Sequence, residues 1–162
     1  MWLRNENIKT KYFIGKKQIL SFSENKTFAL WQSFMPHRNS IVNRVGIEYY
    51  SIEIYPNPNF FFSFDPNATF EKWAAVEVNT HEITHENMEA ITIPSGLYAV
   101  FLHTGLSNCA EKTYRSIFEM WLPVSAYQLD DRPHFAVMGE KYKKNDVSSE
   151  EEIWIPIKAK TH

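Results

Sequence analysis

The sequence predicts an α+β fold: a tandem strand-helix-strand-strand repeat, forming two antiparallel sheets, each backed by a helix, with a ligand groove between the halves. Two period-two stretches in the first half, 48–56 and 72–78, are matched by two in the second, 134–140 and 151–157. Each half also carries one Pro-terminated helical pattern, and the order of elements over about 12–78 recurs over about 89–157. The repeat is one of pattern only, because the halves share negligible sequence identity. No long linker or low-complexity segment interrupts the 162 residues, so 1–162 reads as a single domain able to bury a core.

"FIGKKQILSF" (13–22) is rich in strand formers and opens the first unit. "SENKTFALWQSFMP" (23–36) predicts a helix near 24–35. Ser23 or Asn25 caps it, Phe28, Trp31 and Phe34 recur every three residues, and Pro36 stops it. "EYYSIEIYP" (48–56) alternates until Pro56, and "PNPNFFFSFDPNATF" (56–70) is an excursion punctuated by Pro and Asn. "KWAAVEV" (72–78) closes the unit. The second unit starts with "MEAITIPSG" (88–96) and "LYAVFLH" (97–103), broken by Pro94 and Gly96. "SNCAEKTYRSIFEMWLP" (107–123) predicts a helix near 108–121, with Ala110, Tyr114, Ile117, Phe118 and Trp121 as its apolar stripe. "HFAVMGE" (134–140) and "EEIWIPI" (151–157) are the last strands.

Composition excludes several classes. A formal net charge of -2 with interspersed signs gives no basic footprint, so direct nucleic-acid binding is not expected. No run approaches the roughly twenty apolar residues that span a bilayer, and "MWLRNENIKTKYF" has no signal-peptide core. One cysteine, Cys109, makes no internal disulfide and no Cys-type zinc site, which fits a cytoplasmic location. At the head of a helix Cys109 could acquire a lowered pKa, but a small buried apolar residue is the simpler reading. Only five glycines are present, and no nucleophile elbow, Walker loop or dinucleotide fingerprint occurs.

"THEITHE" (80–86) contains a literal H-E-x-x-H, the zinc-peptidase pattern. That chemistry needs both histidines on one face of a packed helix, with a third ligand and an open coordination position. Here the motif lies between two strands with room for two turns at most, and Ile83 and Thr84 are β-branched. Glu111, the available acid, lies beyond an intervening strand. His81 and His85 therefore read as polar loop residues, with no metal and no cofactor expected.

The strand faces carry more. Ile153, Ile155 and Ile157 face one way and Glu152, Trp154 and Pro156 the other; Ala74, Val76 and Val78 oppose Trp73, Ala75 and Glu77. In the third strand Tyr50, Ile52 and Ile54 oppose Tyr49, Ser51, Glu53 and Tyr55. Aliphatic rows are expected against the helices, leaving rows that mix aromatics with carboxylates. Such rows suit a flat or amphipathic organic cation, each ring face contributing about 0.5–2 kcal/mol. The competing reading pairs Glu77 and Glu152 with surface lysines while the tryptophans cover the sheet. The expected ligand-binding residues are Glu152, Trp154, Trp73 and Tyr49, joined by the aromatic Phe101; no catalytic residue is expected.

The segments "FIGKK", "ENKTFALWQSFMPHR", "YSIEIYP", "FEKWAAVEV", "IPSGLYAVFLHTG", "YRSIFEMWLP", "PHFAVMGEKY" and "EEEIWIPIK" together resemble the GyrI-like small-molecule-binding proteins. These are related to the effector-binding domains of AraC-type and multidrug-sensing transcription regulators. The resemblance covers about 12–158 and rests on the order and spacing of soft motifs. It implies the tandem fold, a groove between the halves, and amphipathic, often cationic ligands. Some members are fused to a DNA-binding domain; this chain resembles the stand-alone kind. Some stand-alone relatives hydrolyse small electrophiles, and others act on DNA gyrase. Many relatives carry a ligand-contacting Glu at the position of Ala136, which alternation places on the pocket row; Glu152 is the remaining candidate charge.

The expected function is thus a stand-alone binding module for small hydrophobic, in part cationic, molecules. Hydrolysis of small electrophiles in the same groove is the alternative, zinc peptidase chemistry at 81–85 a distant one, and a protein partner is left open.

Overall fold

A computed structural model describes residues 1–82, 85–106, 110–143 and 146–161. In chain order the elements are β1 (Trp2–Ile8), β2 (Lys11–Leu20), α1 (Thr27–Phe34), β3 (Tyr49–Ile54), β4 (Phe70–Val78), β5 (Glu89–Ile93), β6 (Gly96–Thr104), α2 (Glu111–Arg115), β7 (Tyr127–Leu129), β8 (His134–Met138) and β9 (Glu150–Ala159). The α1 helix runs on as a 3-10 turn over Met35–Ser40, and α2 as a wide π turn over Ser116–Trp121 and a last turn at Leu122–Val124. No helix among the described residues is long and apolar enough to cross a membrane.

Two sheets were expected, and there is one. Its strand order is β1-β6-β9-β8-β3-β4-β2-β5, entirely antiparallel, with β7 attached to β9. The halves are fused because β3 and β8 pair with each other at the centre, Ile52 opposite Phe135. The order reads as a palindrome about that pair, so a local two-fold axis relates the halves.

The outermost strands are exchanged. β1 precedes β2 by two residues yet pairs with β6, and β5 precedes β6 yet pairs with β2. Ile8 and Lys11 are three residues apart, hence within about 10 Å. In a flat sheet the six strand spacings between β1 and β2 would separate them by about 29 Å. The sheet must roll up. Its inner face is filled by Ile8, Phe13, Tyr50, Ile52, Trp73, Tyr98, Phe135 and Trp154, residues from both edges and the centre.

Both helices lie on the outer face. Leu30 and Phe34 of α1 cover Ile14, Ala74, Val76 and Val78, while Ile117, Phe118 and Leu122 cover Ala99, Ile153, Ile155 and Ile157. The aliphatic rows of β4 and β9 face the helices, as alternation implies. Phe28, expected on the buried stripe, is exposed; the helix starts at Thr27, whose amide is met by the Asn25 side chain at 3.0 Å, and Leu30, Trp31 and Phe34 form the packed face. Pro36 ends the α-helical part and opens the 3-10 turn. Between the helices, over β3 and β8, lies the chain from 55 to 69, held by side-chain turns at Asn57 and Asp65.

Candidate ligand-binding site

The cross-strand pairs at the two-fold axis decide which side chains can meet. Ser51 opposes Ala136, Ile52 opposes Phe135, and Glu53 opposes His134. Residues directly opposed share a face. Ile52, with Trp73 and Phe135 beside it, is on the inner face; Ser51, Glu53, His134 and Ala136 therefore lie on the helix side.

This overturns the expected facing of two rows. Tyr49 packs against Trp31 of α1, ring centres 6.2 Å apart, under the Arg44 guanidinium at 4.5 Å. Ala136 is also on the helix side, opposite Ile153 on its other flank. Phe101, opposite Ile153 as well, packs edge-on against Trp121 of α2 at 5.0 Å. The β3 pattern misled because tyrosines occupy both rows, Tyr49 and Tyr50, so polarity alone does not say which row is inside.

Glu152, Trp154 and Trp73 do lie on the inner face, but not as one site. Trp154 stacks on Phe135 at 5.1 Å, and its Nε1 donates to Glu152 at 3.2 Å. Arg4 of β1 covers the pair: its Nη1 and Nη2 donate to both Glu152 oxygens at 3.3 and 3.4 Å, and its guanidinium stands 5.4 Å from the indole centre. Trp73 is the counterpart in the other half, under Lys17 at 5.7 Å, with Lys17 ion-paired to Glu71 at 3.3 Å. Each ring-and-carboxylate pair is thus engaged by a cation of the chain itself.

The helix side holds a different arrangement. Glu53 is 5% exposed, accepts from the Ser51 hydroxyl at 3.0 Å and meets Lys72 at 3.6 Å through the same oxygen, Oε1. Its Oε2 is buried, with no hydrogen-bond partner among the described residues. Burial, and secondarily the nearby Glu151 carboxylate, push the Glu53 pKa up against the opposing pull of Lys72 and Ser51. Aromatic rings roof this carboxylate. Tyr55 and His134 meet edge-on at 4.9 Å, and Phe61 stacks on Phe118 at 4.2 Å. Tyr114 lies parallel beyond Phe118 at 6.4 Å. The Tyr55 and Tyr114 phenols are held neutral, by burial first and by Glu53 next. Burial lowers the His134 pKa to about 3, so its imidazole is uncharged, and its Nδ1 has no partner.

The two-fold axis ties this cluster to position 136. Rotation about the Ile52–Phe135 pair exchanges Glu53 with Ala136 and Ser51 with His134. The carboxylate that the resemblance leads one to seek at 136 is therefore present at the symmetry-related position in the other half. Alternation in β3 groups Glu53 with Ser51 and Tyr55, and that row lies on the helix side, not on the face expected for it.

In the loop read as a zinc motif, His81 Nε2 meets the Phe13 carbonyl at 3.2 Å and its ring packs on Tyr12. Ile83 and Thr84 of that motif, and Cys109, lie outside the described residues. Among the described residues no three His, Cys, Asp or Glu side chains gather as a metal site.

The molecule is thus a rolled antiparallel sheet with a helix over each half and a buried carboxylate under an aromatic roof. The chain belongs to the GyrI-like small molecule binding domain family, whose model matches residues 3–158. Among solved structures it is similar to SAV2435 bound to tetraphenylphosphonium, with TM-score 0.70 and 16% identity over 98% of this chain and 94% of that one. The EcmrR C-terminal domain aligns with TM-score 0.68 and 14% identity, covering 99% of each chain. A hydrolase from Listeria innocua aligns with TM-score 0.59 and 9% identity, over 96% of this chain and 91% of that one. At these identities the structures show a shared fold. No curated protein matches the sequence.

Proposed function

We propose that the protein binds a bulky, hydrophobic monocation on the helix side of the sheet, with Glu53 as its counter-charge. One observation carries this reading: a buried carboxylate with a partnerless oxygen stands among aromatic rings, at the symmetry mate of position 136. A carboxylate in that state lacks the solvation that water would provide. A ligand cation against Oε2 restores it, while Tyr55, Tyr114 and Phe118 supply ring faces for the apolar groups. Phe61 closes the aromatic roof, packed on Tyr55 and His134 and stacked on Phe118, so entry of a bulky cation requires the 55–69 segment to move aside. That SAV2435 holds tetraphenylphosphonium on the same fold supports the ligand class.

Two ions of one shape test this. Titration calorimetry should show binding of tetraphenylphosphonium and none of tetraphenylborate, which matches it in shape and opposes it in charge. Glu53→Gln should weaken the phosphonium about ten- to a hundredfold, the loss of one buried charge contact. Equal binding of both ions would make the site merely apolar and remove Glu53 from it.

A further inference from the structure

Opposite the helices, the mouth of the rolled sheet forms a depression of about 250 Å³. Its floor is Ile8, Tyr50, Phe135 and Val137, and it runs up to Trp154 and Glu152, where Arg4 is seated. We propose that this mouth is a second binding site, separate from the Glu53 site, for a planar amidinium or guanidinium ligand, and that Arg4 is its internal occupant.

The seat has the features that such a cation requires. A guanidinium needs a flat apolar surface for its face and carboxylate oxygens in its plane. Trp154 supplies the surface, stacked on Phe135 and hydrogen-bonded to Glu152 so that ring and carboxylate are fixed together. Both Glu152 oxygens face the Arg4 nitrogens, and Glu6 takes Nε at 2.8 Å.

Arg4 is a replaceable occupant. Its side chain is 43% exposed, its two contacts to Glu152 are long, and it stands on an edge strand just past an irregularity in the β1–β6 ladder. Among the described residues the mouth also holds more negative than positive charge. Glu6, Glu48, Glu77 and Glu152 face it, against Arg4 and Lys11, and Lys11 is already paired with Glu77 at 3.2 Å. The Tyr50 hydroxyl donates to Glu77 at 3.4 Å, and Glu48 and Glu152 line the same depression as Tyr50. A further cation is thus favoured there even with Arg4 in place, and favoured more once Arg4 leaves. The counterpart in the first half is closed differently: Lys17 reaches both Glu71 and Glu89, at 3.3 and 3.5 Å.

Benzamidine is the probe, with neutral benzamide as its control, read by tryptophan fluorescence and calorimetry. Arg4→Ala should tighten benzamidine by about tenfold, the factor expected when a self-ligand that fills the seat about 90% of the time is removed. Adding Glu152→Gln to Arg4→Ala should cancel that gain, and benzamide should bind neither variant measurably. Glu53→Gln should leave benzamidine binding unchanged, which keeps this site distinct from the one on the helix side. Arg4→Lys retains the charge without the flat fork, and should fall between wild type and Arg4→Ala. Unchanged or weaker benzamidine binding in Arg4→Ala, or its loss in Glu53→Gln, overturns the proposal.

Discussion

Glu53→Gln exchanges an oxygen for an amide nitrogen and so separates two consequences of burying a carboxylate. The folded-state pKa of Glu53 lies above its ordinary 4.5, with desolvation as the leading cause. Below that ordinary value the carboxyl is protonated in both folded and unfolded chains and costs nothing. As pH rises past it, the unfolded chain releases a proton that the folded chain retains, so stability falls through the window up to the raised value. Glutamine has no proton to release. Glu53→Gln should therefore melt above wild type at pH 8, with the difference shrinking to nothing near about pH 4, even as it loses cation affinity. Melting curves over that range check the sign. A variant that melts below wild type at pH 8 would mean that the Lys72 pair outweighs the desolvation. A residue that costs stability where it also recognises ligand is one a binding protein retains for function. The same residue shows what sequence could and could not convey: the association of Glu53 with Tyr55 was visible in the alternation, but its facing was not.

The elements differ in how plainly they were written. β4 and β9 have one aliphatic row each, and their facing followed directly from Ala74, Val76, Val78 and from Ile153, Ile155, Ile157. β1 is not legible in the sequence because an edge strand can be polar on both faces, and "LRNEN" carries no period-two signal. β7 is three residues long, too short for any periodicity. The 55–69 segment is legible as an irregular excursion from its Pro and Asn residues, yet its position depends on Phe61 stacking on Phe118, a contact between distant parts of the chain. Phe61→Ala should act in opposite directions on stability and binding. Removing a partly buried ring stacked at 4.2 Å should destabilise the fold by about 1–3 kcal/mol. The same change removes the ring that closes the roof over Glu53, so tetraphenylphosphonium should bind faster and more tightly. Calorimetry and stopped-flow fluorescence measure both; a parallel loss of stability and affinity would make Phe61 part of the binding wall and not its plug.

At the scale of the molecule, the tandem pattern was readable and the way it closes was not. Two units of strand, helix and two strands predict two helix-backed layers equally as separate sheets or as one. The choice lies in hydrogen bonds between β3 and β8 and in the exchange of β1 with β5, neither of which leaves a local signature. Rolling the sheet creates two distinct environments from one set of strands. The inner face is packed with rings, and its cation seats are engaged by Arg4 and Lys17. The outer face, between the helices, is where a carboxylate oxygen is left without a partner. The location of a bound cation therefore tests the account most directly. A crystal structure of the tetraphenylphosphonium complex should show the phosphorus within about 6 Å of the Glu53 carboxylate, with Phe61 withdrawn from Phe118 and the 55–69 segment shifted. Phosphonium seated instead on the inner face beside Trp154, with Phe61 still stacked on Phe118, would contradict it.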